Sequence, residues 1–258
     1  MMKPLSIKTK LIIFLAGFAV FLSIKDKDTA FLIAIIITLI SAIITDAVFF
    51  YFKNRKFNIS ESSVISGLII GFVLASDNPW WVIVLAALLA ISSKHLICFN
   101  KRHVFNPAAF GIFLSILLFG ATTQWKGTFD WYILLPIGLY FNYKIRKLEL
   151  ITGYFITALG LFGIQAVLNK VPLINILGYL SYFYIFIMLI EPKTTPIKPL
   201  AKLIFGVGAA GLIFVFVQAQ VRFDAELAAL LISNLFLPLL NKIPDAHLFR
   251  GVSNRPIA

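Results

Sequence analysis

The chain has 258 residues, of which 60% are hydrophobic and 13% charged, and its net charge is +12. Soluble domains carry about 25% charged residues, so the composition excludes an ordinary soluble protein and predicts an all-α integral membrane protein in contact with the lipid bilayer. The positive charge is typical of the cytoplasmic loops of membrane proteins, so we expect no nucleic-acid partner. The single cysteine excludes an internal disulfide, and the three histidines lack ligand spacing, so we expect no metal site.

Ten apolar stretches follow one another along the chain. A full crossing takes about 20 residues, and the first, third, sixth and eighth stretches are short or interrupted. The first is expected to be an uncleaved span, because charged residues and no small-residue cleavage site follow it. Since the short stretches fall at matching places in each half, the sequence predicts two repeats of five helices. The stretches lie at about 11–24, 29–52, 62–76, 80–98, 105–121, 131–143, 150–168, 173–190, 200–219 and 224–241.

The placement of lysine and arginine supports ten crossings. With the N-terminus inside, 18 of the 23 basic residues face the cytoplasm and 5 face outward, as the positive-inside rule requires. We therefore expect a multi-pass protein of the plasma or inner membrane with both termini cytoplasmic. Two units with an odd number of crossings must be inverted relative to each other. The expected division is a first repeat at 1–121, a short outer loop at 122–130, a second repeat at 131–245 and a cytoplasmic tail at 246–258.

Two apolar segments that end in polar, proline-bearing sequence are the most informative part of the chain. They are Ser62 to Asn78 and Ser181 to Pro199, about 118 residues apart. Backbone that leaves a helix inside a bilayer must be buried in protein or line a cavity, because lipid cannot satisfy its polar groups. Interrupted segments at matching places in two repeats therefore predict a site at the interface of the repeats. A faint sequence echo supports the duplication, since Phe105, Ile112, Ser115 and Leu117 match Phe223, Leu230, Ser233 and Leu235 at one offset.

Five ionisable residues lie within or at the edges of the apolar stretches: Asp46, Lys94, Glu191, Asp224 and Glu226. A charge at bilayer depth costs about 3 kcal/mol or more, so it is a functional hypothesis by default. Snorkelling to the interface is the alternative for Lys94, Asp224 and Glu226. Asp46 has apolar neighbours on both sides, and Glu191 opens the second broken segment. We therefore expect an ion path or interior site lined by Asp46, Lys94 and Glu191, together with Ser63, Ser66, Thr194 and Thr195.

The sequence around Asn106 and Pro107 predicts a helix start, with Asn106 as the cap and Pro107 at the first helical position. Free N–H groups at such a start can bind an anion such as a phosphate, although capping alone explains the pattern. Five glycines have the spacing of close helix packing, and a cofactor cradle that includes Gly67 is the alternative. These glycines are Gly67, Gly71, Gly206, Gly208 and Gly211.

Taken in order, these motifs resemble the NqrB/RnfD family, the membrane subunits of the sodium-pumping NADH:quinone oxidoreductase and of the Rnf complex. The resemblance spans about residues 40–245, and it implies ten helices with an internal duplication. Asp46 matches an acidic residue at the end of the family's second helix. The segment from Glu191 to Pro196 is similar to the family's Thr-Asp-Pro-Val-Thr motif, with Glu191 in place of the aspartate. The other matching stretches are Ser62 to Leu68, Pro79 to Trp81, Lys94 to Leu96 and Phe105 to Ala108.

The resemblance also implies a flavin, and here the chain departs from the family. The family carries an FMN esterified to a threonine in a long outer loop after the fifth helix. In this chain that loop spans only about Ala121 to Asp130, and Thr122 is the candidate attachment residue. Because Thr122 directly follows an apolar helix with no room to extend, we expect any FMN or riboflavin to be bound noncovalently, between helices and near a helix start.

Three functions compete at this point. The resemblance implies a membrane subunit of an ion-translocating electron transport complex, whose partners are other membrane and redox subunits. The sequence has no soluble redox domain or cluster motif, so the chain is at most one subunit of such an enzyme. The alternatives are a stand-alone transporter or channel for a small solute or flavin, and a scaffold that has lost its cofactor.

Overall fold

A computed structural model describes residues 5–99 and 102–244, apart from the side chain of Tyr179. The predicted tail at 246–258 lies outside the described residues. The chain divides into two compact units, Met1–Trp131 and Tyr132–Ala258. The segment that the sequence separates as an outer loop at 122–130 falls within the first unit, because its backbone pairs with the end of a broken helix of that unit.

The described part of the first unit consists of helices and one short hairpin. The hairpin strands are antiparallel, with Cys98 opposite His103. Four of the helices begin at a side chain that accepts a backbone N–H from the first turn, which satisfies a donor that would otherwise have no helical partner. The capping residues are Ser6, Asp28, Ser60 and Asn106. The elements are α1 (Ile7–Lys25), α2 (Thr29–Asn54), α3 (Glu61–Val73), α4 (Trp80–Leu96), β1 (Cys98–Phe99), β2 (Arg102–His103) and α5 (Pro107–Phe119).

The second unit repeats this order of helices, except that the counterpart of α3 is divided into three short segments. Where the first unit has α3, the second has a 3-10 turn at Leu173–Asn175, the single-turn helix α8 and a π-helical turn at Tyr184–Met188. The predicted span at 173–190 is therefore not one helix. The α-helices are α6 (Trp131–Lys144), α7 (Leu148–Leu168), α8 (Ile176–Tyr179), α9 (Pro199–Gln218), α10 (Ala225–Leu235) and α11 (Leu237–Leu240).

The helices confirm an all-α membrane protein. Among the described residues, four helices are long and apolar enough to cross a membrane, namely α1, α2, α7 and α9. The helices α3, α4, α5 and α10 are apolar but only 10–17 residues long. The sequence predicts short spans at the first, third, sixth and eighth stretches. This is confirmed for α3, with 13 residues, and α6, with 14 residues, but it is wrong for α1, which has 19 residues.

The turn between the first two helices of each unit has the same construction. Lys27 has a φ of 54° and Arg146 a φ of 57°, so both lie in the left-handed region. In the first unit Asp28 N donates to the Ser23 carbonyl at 3.0 Å, and in the second Lys147 N donates to the Asn142 carbonyl at 2.9 Å. Equal local geometry at matching places supports the internal duplication.

Glycine packing between helices is confirmed at three of the five predicted positions. A Cβ added to Gly67 or Gly71 of α3 would lie 2.9 Å from the backbone of α2, and one added to Gly206 of α9 would lie 2.8 Å from a backbone nitrogen of α7. The prediction is wrong for Gly208 and Gly211, where an added Cβ would meet nothing within 4 Å. These two positions lie on the side of α9 that no other described element covers.

Candidate functional site

A buried polar network is centred on the carboxylate of Asp46, near the end of α2. Asp46 is 2% exposed. Its Oδ1 accepts from the Lys94 ammonium at 3.0 Å and lies 2.8 Å from His95 Nε2, while its Oδ2 accepts from the Ser60 hydroxyl at 2.6 Å. The Lys94 ammonium also lies 3.0 Å from Ser60 Oγ. A charged pair with this many hydrogen bonds can remain ionised at the edge of a bilayer, where an unpaired charge is costly.

Three elements position this network. Ser60 is the N-cap of α3 and accepts from Ser63 N at 3.2 Å, so its place is set by the start of that helix. Lys94 and His95 lie in the last turn of α4. The His95 ring stacks on Phe49 of α2, with centroids 4.8 Å apart. The packing of α4 on α2 thus brings a cation and an imidazole onto the only acid that α2 carries between its ends.

The sequence identified part of this network. Asp46 and Lys94, both predicted to line an interior site, form a direct ion pair. Ser63 joins through Ser60, whereas the Ser66 hydroxyl donates to the Ser62 carbonyl at 3.0 Å and remains on its own helix. The sequence analysis missed Ser60 and His95. Two signals were available for them, a serine three residues before Ser63 in capping position and a histidine directly after Lys94.

The network carries no sign of a metal site. Among residues 5–99 and 102–244 there is no group of three or more histidine, cysteine, aspartate or glutamate residues able to hold an ion. With one carboxylate, one ammonium, one imidazole and one hydroxyl, the arrangement is suited to holding a buried charge pair.

The first break is the end of α3, and a segment from the far end of the unit closes it. Leu74 leaves the helix with extended backbone, at φ −73° and ψ 133°, and pairs antiparallel with Thr123. The carbonyls of Phe72 and Val73, which have lost their helical partners, each accept at 2.8 Å from an N–H of the segment at 121–126. Asn78 fixes the far end of the break, because its amide donates to the Thr122 carbonyl at 3.0 Å and accepts from Thr122 N at 3.0 Å.

This pairing corrects the premise about Thr122. α5 ends at Phe119, and Gly120 turns the chain in the left-handed region, at a φ of 67°. Thr122 then lies in the paired segment and is exposed. The premise that Thr122 directly follows the helix is therefore wrong, because a left-handed glycine separates the two. The backbone of Thr122 is nevertheless held at the first break by Asn78.

A charged cluster anchors the same segment to the start of α2. The Lys126 ammonium lies 2.8 Å from Asp28 Oδ2 and 3.1 Å from Asp26 Oδ2, and it lies over the Phe31 ring. The hydrogen bond from Lys126 lowers the pKa of the Asp28 carboxyl, against the opposing effect of burial. Burial disfavours the charged form of Lys126, but its bonds to Asp28 and Asp26 outweigh this and raise its pKa. We call the contact between Asp28 and Lys126 the outer latch.

The second break brings Glu191, Thr194 and Thr195 together. The Thr194 hydroxyl donates to Glu191 Oε2 at 3.3 Å, and the Thr195 hydroxyl donates to the Glu191 carbonyl at 2.7 Å. Both threonines are at most 1% exposed. Neither broken segment is thus an unbroken helix facing lipid, which is the outcome that would have removed the hypothesis of an interior site.

Three side chains, which lie in or at the ends of helices, hold the second break. The ammonium of Lys147, which is 4% exposed, donates to the Pro196 carbonyl at 2.8 Å. Asn234 of α10 donates to the Thr194 carbonyl at 3.0 Å. Asn241, after α11, accepts from Ile197 N at 3.4 Å. This last contact joins residues 44 positions apart, as does the contact of Asn78 with Thr122 at the first break.

The remaining predicted residues have structural roles in the described part of the chain. Asn106 caps α5 by accepting from Ala109 N at 3.0 Å, and Pro107 occupies the first position, as predicted. The residues at this helix start are buried, so its N–H groups do not face an open site for a flavin phosphate. Gly67 is explained by its contact with α2. Asp224 caps α10, accepting from two N–H groups of the first turn.

A family model matches the chain. The model of the NQR2, RnfD, RnfE family matches this chain twice, at residues 5–143 and at residues 132–250. The two matches cover the two repeats in turn. No curated protein matches the chain.

Proposed function

Because this chain belongs to the NQR2, RnfD and RnfE family, we propose that it is a membrane subunit of a multi-subunit complex that couples electron transfer to ion movement. The observation that carries this proposal is the presence of a break at the matching place in each repeat. Each break takes backbone polar groups out of the helical hydrogen-bond pattern among apolar helices, which is the usual construction of a site within a transporter. We expect electrons to reach the chain through partner subunits.

In each unit, a set of buried or half-buried polar groups is the proposed lining of an ion path. In the first unit the path uses Ser63 and the pair of Asp46 with Lys94, which lie in one hydrogen-bonded network. In the second unit it uses Glu191 and the two threonine hydroxyls bonded to it. Ser66 belongs to the proposed lining through its position on α3, one turn from Ser62.

The proposed topology has ten crossings with both termini in the cytoplasm of a cell bounded by this plasma or inner membrane. Four long apolar helices and several shorter ones support a multi-pass protein. The count of ten rests on the charge distribution, which puts 18 of 23 basic residues inside.

The most detailed part of the proposal concerns flavin binding. We expect FMN or riboflavin, where the complex holds it, to be noncovalent. Acid precipitation of the purified chain should then release all flavin to the supernatant. Thr122 is exposed and lies outside the helix, so flavin that stays with the denatured protein and disappears in Thr122→Ala would refute the noncovalent expectation.

The main experiment measures ion uptake into membrane vesicles driven by an electron donor. Native membranes containing the tagged chain should show donor-dependent uptake, and the chain should copurify with redox subunits. Glu191→Gln should reduce uptake while leaving copurification unchanged. Asp77→Asn is the matched control, because Asp77 is exposed at the end of the first break.

The same experiment decides between this function and the alternatives. Liposomes that contain only the purified chain should show no solute or flavin uptake. Uptake by the chain alone, without an electron donor, would instead identify a stand-alone transporter. Unchanged ion uptake in Glu191→Gln would show that Glu191 does not line the ion path.

A further inference from the structure

Among the buried side-chain oxygens of the second unit that have no hydrogen-bond partner in the described part of the chain, two lie at positions with a counterpart in the first unit. They are Asn142 Oδ1, on a residue that is 0% exposed, and Ser233 Oγ, on a residue that is 5% exposed. Folded proteins satisfy the large majority of such atoms, and those without a protein partner usually bind water or an ion. Each of the two residues is linked to a residue that hydrogen-bonds to the second break.

Asn142 is connected to the break through Lys147. The Asn142 carbonyl accepts from Lys147 N at 2.9 Å, and the Lys147 ammonium donates to Pro196 at 2.8 Å. The matching residue of the first unit is Ser23, which makes the same backbone bond with Asp28. The side chains differ, because the Ser23 hydroxyl donates to the Asp28 carbonyl at 2.9 Å whereas Asn142 Oδ1 has no such partner.

Ser233 is connected to the break through its neighbour Asn234, whose amide donates to the Thr194 carbonyl at 3.0 Å. The matching residue of the first unit is Ser115, which is also fully buried. The Ser115 hydroxyl donates to the Gly111 carbonyl at 2.9 Å, whereas the Ser233 hydroxyl has no partner among residues 5–99 and 102–244. The second unit thus differs from the first in the same way at two positions.

We propose that internal water lies beside the second break and donates to Asn142 Oδ1 and Ser233 Oγ. The neighbouring Lys147 ammonium, which is 4% exposed and bonded to the same segment, repels a bare cation, so water is the ligand that fits both acceptors. Water also hydrates backbone groups that the break removes from the helix. That this water lines the ion path past Glu191 rests on the proposed function, whereas the hydration itself does not.

The sign of a stability change tests the hydration. A buried hydroxyl without any partner destabilises the fold, so its removal raises the melting temperature, whereas removal of a hydroxyl bonded to water lowers it. We expect Ser233→Ala to lower the melting temperature of the full chain in detergent, as the matched variant Ser115→Ala should, because Ser115→Ala removes a hydroxyl with a known partner. A melting temperature that is unchanged or raised in Ser233→Ala would overturn the proposal.

A direct observation provides the second measurement. An experimental structure that resolves ordered water should show water about 2.7–3.2 Å from both oxygens. A protein donor at either position, or apolar packing around it, would overturn the proposal. Water at both positions in a chain that shows no donor-driven ion uptake would leave the hydration standing and refute the proposed function, so the two failures are distinguishable.

Discussion

At the scale of single residues, the most consequential contact is the one between Asp46 and Lys94. Both side chains are at most 10% exposed, so each charge depends on the other for compensation. Hydrogen bonds from Ser60 and His95 complete the coordination of the carboxylate. A pair of this kind contributes little net free energy compared with apolar residues, but removing one member leaves an uncompensated buried charge.

The first prediction concerns that pair. Asp46→Asn should reduce the free energy of unfolding by about 3 kcal/mol, because the Lys94 ammonium loses its counter-charge in a poorly hydrated place. Thermal unfolding in detergent would measure the loss, with Asp77→Asn as the exposed control. The double variant Asp46→Asn with Lys94→Met should recover part of it. Equal stability of Asp46→Asn and the parent chain would show that Lys94 reaches water.

The second prediction uses two glycines two residues apart on α9. Gly206→Ala should destabilise the second unit, because the added methyl group would lie 2.8 Å from the Tyr154 backbone nitrogen on α7. Gly208→Ala should be neutral or stabilising by up to about 1 kcal/mol, since alanine is the better helix former and the position faces open space. Melting temperatures of both variants would compare the effects. Equal losses would mean that α9 packs through both positions.

At the scale of elements, the outer latch joins the start of α2 to the segment that closes the first break. Asp28 caps α2 and also bonds to Lys126, and the Lys126 backbone N–H in turn bonds to the Phe72 carbonyl at 2.8 Å. One lysine therefore connects a helix start, a closing segment and a helix end. The segment at 121–126 can separate from the end of α3 at this place only if the contacts of Lys126 are broken.

The third prediction concerns the pH dependence of the outer latch. The pKa of Asp28 is lowered from its ordinary value of 3.8. The ionised carboxylate therefore stabilises the latch above that pH, and this stabilisation is lost as the pH falls through the lower pKa of the folded state. The pKa of Lys126 is raised from 10.5. The charged ammonium therefore stabilises the latch below that pH, and this stabilisation is lost as the pH rises through the higher pKa of the folded state. The latch should therefore remain closed between about pH 4 and pH 10.

Amide hydrogen exchange provides the measurement. Lys126→Met should accelerate exchange at the amides of Gln124 and Lys126, which donate to the end of α3. Lys27→Met is the matched control, because Lys27 is an exposed lysine of the turn before α2. Unchanged exchange in Lys126→Met would show that the backbone pairing alone holds the segment.

Element positions were more predictable from the sequence than contacts were. The long helices α2, α7 and α9 begin and end close to the predicted apolar stretches, because a continuous apolar run in a membrane has few alternatives to a helix. The stretch at 173–190 was predicted as one short span and is instead three helical pieces of different kinds. Hydropathy measures how apolar a segment is, and it does not distinguish α-helical from π-helical or 3-10 backbone.

The candidate site shows the same limit. Asp46, Lys94 and Glu191 stood out because charged residues are rare in apolar stretches, whereas Ser60 and His95 did not. Their role depends on how α4 crosses α2. Because membrane helices are apolar on most faces, the sequence carries no stripe of the kind that reveals which side of a soluble helix packs inward.

At the scale of the whole molecule, α6 is one of the helices shorter than the hydrocarbon layer, and the orientation of the second repeat depends on it. It has 14 residues and an internal Pro136, so it spans about 21 Å at the usual rise per residue, against about 30 Å of hydrocarbon. A short helix can still cross where the bilayer thins or where flanking side chains extend to the interface. If α6 did not cross, the basic residues after it would face outward, against the positive-inside rule.

The fourth prediction is that α6 crosses the membrane. The test needs exposed positions, and Lys147 is unsuitable because it is 4% exposed. Phe129, before α6, is 80% exposed, and Lys144 at its end is exposed as well. In a chain with Cys98→Ser, an impermeant thiol reagent added outside intact cells should label Phe129→Cys and should label Lys144→Cys only after the membrane is opened. Labelling of both cysteines from outside would show that α6 does not cross the membrane. The second repeat would then no longer be inverted relative to the first.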